Sequence, residues 1–397
     1  LPALSLGVGY DIIEVRSNHH SNCAVLQEQA PAKNHIMKCW GASTNNVLGD
    51  GTLPGMNRGD SPNELATATQ VGFRPTVTKI LDYAISDSHG CAIVVDTGAA
   101  ATYSQLDCWG RYFRNEIGHG SRHNTSSLAT PATDNWYLNL VKADGVTPAK
   151  AVKVSVGVTS TCVVTDEKRV ACLGENASGL LGLGNTSIDA GAAWGPVTVA
   201  GRIPVIDLGT DANGPIKIVD VAVGEAFACA QTEGGKVKCW GRNDRGQLGN
   251  GLNVGDYAAL GDQPTEMGNN LPYVDLGTNV VAKQIYAGRY NVCVVAVSGK
   301  LYCWGEGQNG SNGSLNTLDI GADAGQMGSA LAAVDLGPNR KAISVSVSET
   351  HTCAVLDNNT MKCWGLNNAG QLGQGDRVNR GGAPDTMGLY LPYISFD

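Results

Sequence analysis

Twelve cysteines are the residues best placed to do chemistry in this 397-residue chain, and they come as six spaced pairs: Cys23 and Cys39, Cys91 and Cys108, Cys162 and Cys172, Cys229 and Cys239, Cys293 and Cys303, Cys353 and Cys363. A thiol can attack a substrate, bind zinc or oxidise to a disulfide. Zinc is disfavoured, since no Cys-x-x-Cys pair occurs and the seven histidines do not recur at ligand spacing. Use of every cysteine at a repeating position suits staples better than nucleophiles. It also points to an oxidising compartment, and so to extracellular or cell-surface residence. Six pairs of buried free thiols are the alternative.

The elements that must position these pairs repeat with them. Each first cysteine lies in an apolar run. The second opens a Cys-Trp-Gly triplet at Cys39, Cys108, Cys239, Cys303 and Cys363, and Leu173 and Gly174 follow Cys172 in the same places. The second cysteines lie 69, 64, 67, 64 and 60 positions apart, too long a period for a helical-hairpin or leucine-rich repeat. Runs such as Val292-Cys293-Val294-Val295 have strand length, and 52 glycines, about twice the usual share, punctuate them. The class expected is all-β. Where ten positions separate the cysteines, the turn centres on Glu167, Gly234, Ser298 or Asn358, and a three-residue loop needs its third residue left-handed. Those residues are Lys168, Gly235, Gly299 and Asn359. Cys353 then opposes Cys363, with Cα atoms about 4.5–5.5 Å apart, within a disulfide's reach. The pairs separated by 16 and 17 positions have longer tips, and their register stays open at this stage.

After the triplet comes a shared tail, clearest in Trp240-Gly241-Arg242-Asn243-Asp244-Arg245-Gly246-Gln247-Leu248-Gly249. This pattern resembles the regulator of chromosome condensation repeat family, whose repeats are blades of a β-propeller. The linker at 261–268, Gly-Asp-x-Pro-x-x-Met-Gly, followed by Leu-Pro-x-Val-Asp-Leu-Gly at 271–277, resembles that of secreted bacterial members. The resemblance implies one propeller domain over 1–397; the family has members with seven blades, and the six units counted here make the expected ring six-bladed, with four strands and one stapled hairpin per blade. The strands at 333–336, 342–347, 352–356 and 361–364 illustrate a blade. Trp40, Trp109, Trp240, Trp304 and Trp364 are then expected to form a recurrent packing layer between blades.

The chain ends carry an excess. Leu4 to Gly7 aligns with Val334 to Gly337 at the same distance from the following cysteine, so the first repeat owns its first strand. Residues 391–397, with Leu391, Pro392, Tyr393, Ile394 and Phe396, copy that strand again. Seven copies for six blades leave one that closes the ring, frays, adds a fifth strand or pairs with a neighbour's sheet edge. Head-to-tail donation without closure would make a filament.

Enzyme signatures are missing: there is no Gly-x-Ser-x-Gly, no His-Glu-x-x-His and no phosphate loop. Arg58-Gly59-Asp60-Ser61 spells an adhesion motif, but Gly59, Asp60 and Pro62 occupy ordinary linker positions. A net charge of −8 argues against nucleic acid as a partner, and no apolar run approaches the roughly 20 residues that span a membrane. The reading is a non-enzymatic extracellular structural or interaction propeller with no cofactor or metal, whose partners are proteins, copies of itself included. The alternative is a monomeric secreted binding module, inhibitor-like or adhesin-like. It would use irregular loops such as 121–144, which carry Trp136 and Tyr137.

Overall fold

Short apolar runs broken by Gly, Asn and Asp fold as antiparallel strands, and each cysteine pair lies within one meander. The computed structural model describes residues 5–18, 20–29, 31–51, 56–61, 64–98, 105–111, 117, 127–128, 140, 142–144, 147–186, 203, 205–252 and 259–395. Its meanders are β1 (Tyr10–Ser17), β2 (Ser21–Glu28) and β3 (His35–Gly41); β4 (Val77–Ile85), β5 (His89–Asp96), β6 (Gln105–Arg111) and β7 (Ser127–Leu128); and β8 (Ala151–Val156), β9 (Ser160–Thr165) and β10 (Val170–Gly174). A small hairpin, β11 (Thr210–Asp211) and β12 (Gly214–Pro215), follows. Then come β13 (Ile218–Val223), β14 (Phe227–Thr232) and β15 (Val237–Gly241); β16 (Ala282–Ala287), β17 (Asn291–Ala296) and β18 (Leu301–Gly305); and β19 (Ala342–Val347), β20 (His351–Leu356) and β21 (Met361–Gly365). The chain divides into an N-terminal unit, mainly residues 2–177, and a C-terminal unit, mainly residues 207–397 together with 178–186.

All twelve cysteines are disulfide-bonded in the six expected pairs, with Cα atoms 4.0–4.1 Å apart. The partners stand directly opposite in every hairpin. That includes the two hairpins with long tips, whose register the spacing left open. Lys168, Gly235, Gly299 and Asn359 all take positive φ, between 59° and 84°. In these four hairpins the local turn chemistry sets the register that brings the thiols together.

The expectation of four strands per blade needs correction. Five of the six cysteine-bearing sheets have three strands, and only β4-β5-β6-β7 has four among the described residues. Residues 333–336 form no ladder; the Val334 N–H donates once, to the Leu301 carbonyl at 2.8 Å. The outer edge of β15 shows why. Leu260 bridges Gly241 at one end, and the Val274 N–H donates to the Val237 carbonyl at 2.8 Å at the other. Between these contacts the chain turns through Pro264 and Pro272, which have no N–H to continue a ladder.

The terminal copy occupies the same outer place. Leu391 is buried with Leu356 and Trp364, and the Ile394 N–H donates to the Met361 carbonyl at 2.9 Å. The Lys362 ammonium lies 4.5 Å from the Tyr393 ring centre, and Gln374 Nε2 donates to the Pro392 carbonyl. Phe396 lies outside the described residues.

Trp109, Trp240, Trp304 and Trp364 are fully buried. Their indole N–H groups donate to the carbonyls of Val47, Leu180, Gln247 and Ser311, at 2.8, 2.6, 3.0 and 3.2 Å. Each acceptor belongs to the tail after the preceding triplet, or after Cys172-Leu173-Gly174 in the case of Leu180. The last tail glycine must be bare for this contact: a Cβ on Gly249 would stand 3.0 Å from Trp304 Nε1, and one on Gly313 2.9 Å from Trp364 Nε1. Trp40 is only half-buried.

Candidate interaction face

The turns that join the first two strands of each meander share one backbone form. Gly224, Gly288 and Ser348 each donate their N–H, at 2.9 Å, to the carbonyl three residues on, at Phe227, Asn291 and His351. The triplet glycine runs against these turns. A Cβ on Gly241, Gly305 or Gly365 would approach the carbonyl oxygen of Ala226, Tyr290 or Thr350 to 2.5, 2.3 or 2.4 Å, and all three have φ above 90°. With the glycine in place, the next residue, Arg242, Glu306 or Leu366, donates its N–H to the same turn carbonyl. Two side chains per meander are thereby fixed side by side on one face of the C-terminal unit.

Charge organises that face. Glu225, Arg289 and Glu349 hold the same place in three successive turns, and the Arg289 guanidinium bonds both carboxylates, through Nε to Glu225 and through Nη1 to Glu349. The Glu225 N–H also donates to the Arg289 carbonyl at 3.0 Å. These partners, Glu225 foremost, raise the Arg289 pKa. The Tyr290 ring lies between two cations, 5.0 Å from the Arg289 guanidinium carbon and 5.5 Å from that of Arg242. Burial, then Glu225, pushes its hydroxyl pKa up. Arg245 stands 3.8 Å from Glu306 and 3.6 Å from Asp319. Glu306 is largely buried, and that burial raises its pKa.

This face offers a half-exposed tyrosine framed by arginines and carboxylates already held in place. Tyr and Arg are the residues most often found as energetic anchors of protein interfaces. Pre-paired side chains lose less freedom on binding than free ones. No group of three or more potential metal ligands clusters among the described residues.

Sequence reasoning did not find these residues. The twelve cysteines and four of the five tryptophans it selected serve the interior, Trp40 being half-buried, and the loop residues Trp136 and Tyr137 lie outside the described residues. The available signal was the charged residue four positions before each first cysteine, at Glu225, Arg289 and Glu349, with the variable residue after each Cys-Trp-Gly triplet beside it. Lys38, Lys238 and Lys362, which precede the second cysteine, are also buried. Their ammonium groups donate to linker carbonyls, as Lys238 does to Leu208 at 2.8 Å and Gly268 at 2.9 Å.

A disulfide-stapled meander whose tryptophan locks onto the preceding tail recurs along this chain, and three of its copies in the C-terminal unit match a known repeat. Residues 218–247, 282–311 and 342–371 match the Regulator of chromosome condensation (RCC1) repeat. The chain is 25% identical to the Ultraviolet-B receptor UVR8 of Arabidopsis thaliana, over 87% of this chain and 76% of that protein. It is 26% identical to human E3 ubiquitin-protein ligase HERC2 over 70% of this chain, which spans only 5% of that protein. The crystal structure of Prp20p from Saccharomyces cerevisiae superposes with a TM-score of 0.63 at 20% identity, covering 93% of this chain and 75% of the other. The fold is that of an RCC1-like β-propeller, and the three stretches at 218–247, 282–311 and 342–371 match the RCC1 repeat.

Proposed function

We propose that this protein is a non-enzymatic extracellular interaction module that captures a protein partner through the turn face of its C-terminal unit. The observation that carries this reading is the line of Glu225, Arg289 and Glu349 with Tyr290 seated against it. A protein of the same fold, Prp20p, has binding properties toward Gsp1p and histones. The six disulfides favour an oxidising compartment. Of the two assembly states open from sequence, the seat of Leu391 and Ile394 on β21 favours the monomeric module over strand donation. Negative-stain images that show filaments in the full chain, and none after deletion of 391–397, would reverse that preference.

The test places a photo-crosslinker at residue 290 and, as control, at residue 358 on an exposed hairpin tip. Crosslinks specific to residue 290 are expected. Affinity for the partner so captured should fall about 30-fold or more in Tyr290→Ala, the loss typical of a hot-spot tyrosine. Equal capture at both positions, or full affinity in the variant, would sink the assignment of this face.

A further inference from the structure

At three junctions of the C-terminal unit a tail glycine lies directly against the backbone of the next linker. A Cβ on Gly179 would stand 2.3 Å from the Asp262 nitrogen, on Gly246 2.3 Å from the Ala322 nitrogen, and on Gly310 2.1 Å from the Gly382 nitrogen. The walls of each junction are therefore rigid backbone, and only the side chains set above them differ. At the second junction Arg245 reaches Asp319 at 3.6 Å, an ion pair across the cleft. The repeat positions of those two residues are held at the third junction by Asn309 and Asn379, and the Asn379 Nδ2 donates to the Asn309 Oδ1 at 3.1 Å.

Exchange of an ion pair for an amide pair changes what the cleft can hold. The third junction contains a cavity of about 400 Å³ lined by Gln308, Asn309, Thr317, Asn379, Gly382, Ala383 and Thr386. None of the seven is charged. The Gln308 amide and the Thr317 hydroxyl have no hydrogen-bond partner among the described residues, whereas Thr386 is committed to the backbone of Gly381 and Ala383. A ligand for such a cavity must be neutral and must both donate and accept hydrogen bonds. It must also present some apolar surface to the Thr317 methyl and to Ala383.

We propose that this cleft is a binding site for a neutral saccharide unit. Sugar hydroxyls donate and accept at once, which matches unpaired amide and hydroxyl groups. Pyranose C–H faces supply the apolar contact, and the volume lies at the small end of the range for ligand sites. Charged ligands gain nothing here, because no counter-charge lines the cavity. An extended peptide is disfavoured because the cavity has no exposed strand edge to pair with its main chain.

The test is saturation-transfer NMR and calorimetry on the full chain with chitobiose, lactose and maltose, with sialyllactose as the charged probe and tetraalanine as the peptide probe. Expected is saturable binding of at least one neutral disaccharide, with affinity unchanged between pH 5 and 8 because no lining group titrates. Gln308→Ala, an exposed substitution that should leave the melting temperature unchanged, should weaken binding about tenfold, as should Asn379→Asp, which keeps the acceptor for the Asn367 N–H and adds a charge. Absence of binding by all three neutral sugars would overturn the proposal. So would binding that survives both substitutions, and preferential binding of tetraalanine would replace the saccharide with a peptide.

Discussion

In the C-terminal unit the turns between first and second strands are joined through charge, Arg289 bonding Glu225 on one side and Glu349 on the other. In the N-terminal unit the equivalent turns are joined mostly through bonds to neutral groups: Ser88 Oγ donates to the Val158 carbonyl at 2.5 Å, the Arg111 guanidinium donates through Nη2 to the same carbonyl at 3.0 Å, and the buried His89 Nε2 meets Thr161 Oγ1 at 2.8 Å, while the exposed His20 Nδ1 lies 3.3 Å from Asp87 Oδ1. The backbone is the same in both, since Ser86 bonds back to His89 and Gly157 to Ser160 as Gly224 does to Phe227. One scaffold thus accepts two kinds of linkage. The C-terminal version leaves its ion pairs partly exposed and available to a partner, whereas the N-terminal version hides an imidazole in the interior and serves cohesion.

The largest expected effect concerns the tryptophan lock, which is complete in the C-terminal unit, where Trp240, Trp304 and Trp364 are all buried, and weaker at Trp40. Trp304→Ala should cost about 3–5 kcal/mol, since it opens a cavity and strands the Gln247 carbonyl. Trp40→Ala should cost about half as much or less, in proportion to its smaller burial. Denaturant unfolding measures both, and equal losses would erase the distinction.

Acid should then separate the two linkages. Complete burial, reinforced by the Arg111 cation, pulls the His89 pKa down from 6.5 to about 3. The unfolded chain therefore binds a proton that the folded chain refuses between those values, so stability present above pH 6.5 is lost as pH falls toward 3. By pH 4 the loss should reach about 3 kcal/mol. It should vanish in His89→Asn, which installs the residue found at the same turn position as Asn291. Hydrogen exchange followed by mass spectrometry should locate the loosening in 77–165. Identical acid profiles for the parent and the variant would show that His89 is not what distinguishes this unit.

The smallest effect belongs to the charged line. Its members are partly exposed, so Arg289→Met should cost at most about 1 kcal/mol, and less as salt rises. A loss of several kcal/mol would make that face a structural brace rather than a presented surface.

Much of the fold was legible beforehand because it is local. Turn residues tolerant of positive φ, such as Gly235 and Asn359, set hairpin register, and register brings each cysteine opposite its partner. The count of strands per blade was misjudged for an equally local reason, since an apolar copy at 333–336 looks like a strand although its neighbour offers it a single hydrogen bond. The candidate face was not legible: Glu225, Arg289 and Glu349 lie 64 and 60 positions apart and carry no shared motif.

By itself the sequence determined the repeat, the opposed register of the four cysteine pairs with ten-residue spacing and the glycines that permit close approach, because period-two patterning and turn conformation act over about ten residues; the register of Cys23 with Cys39 and of Cys91 with Cys108 came from the structure. Only the tertiary structure decided which variable side chains meet. Stacking one repeat against the next brings together residues some sixty positions apart, so the Arg289 ion pairs, the Asn309–Asn379 amide pair and the seat of Ile394 on Met361 arise from packing between repeats.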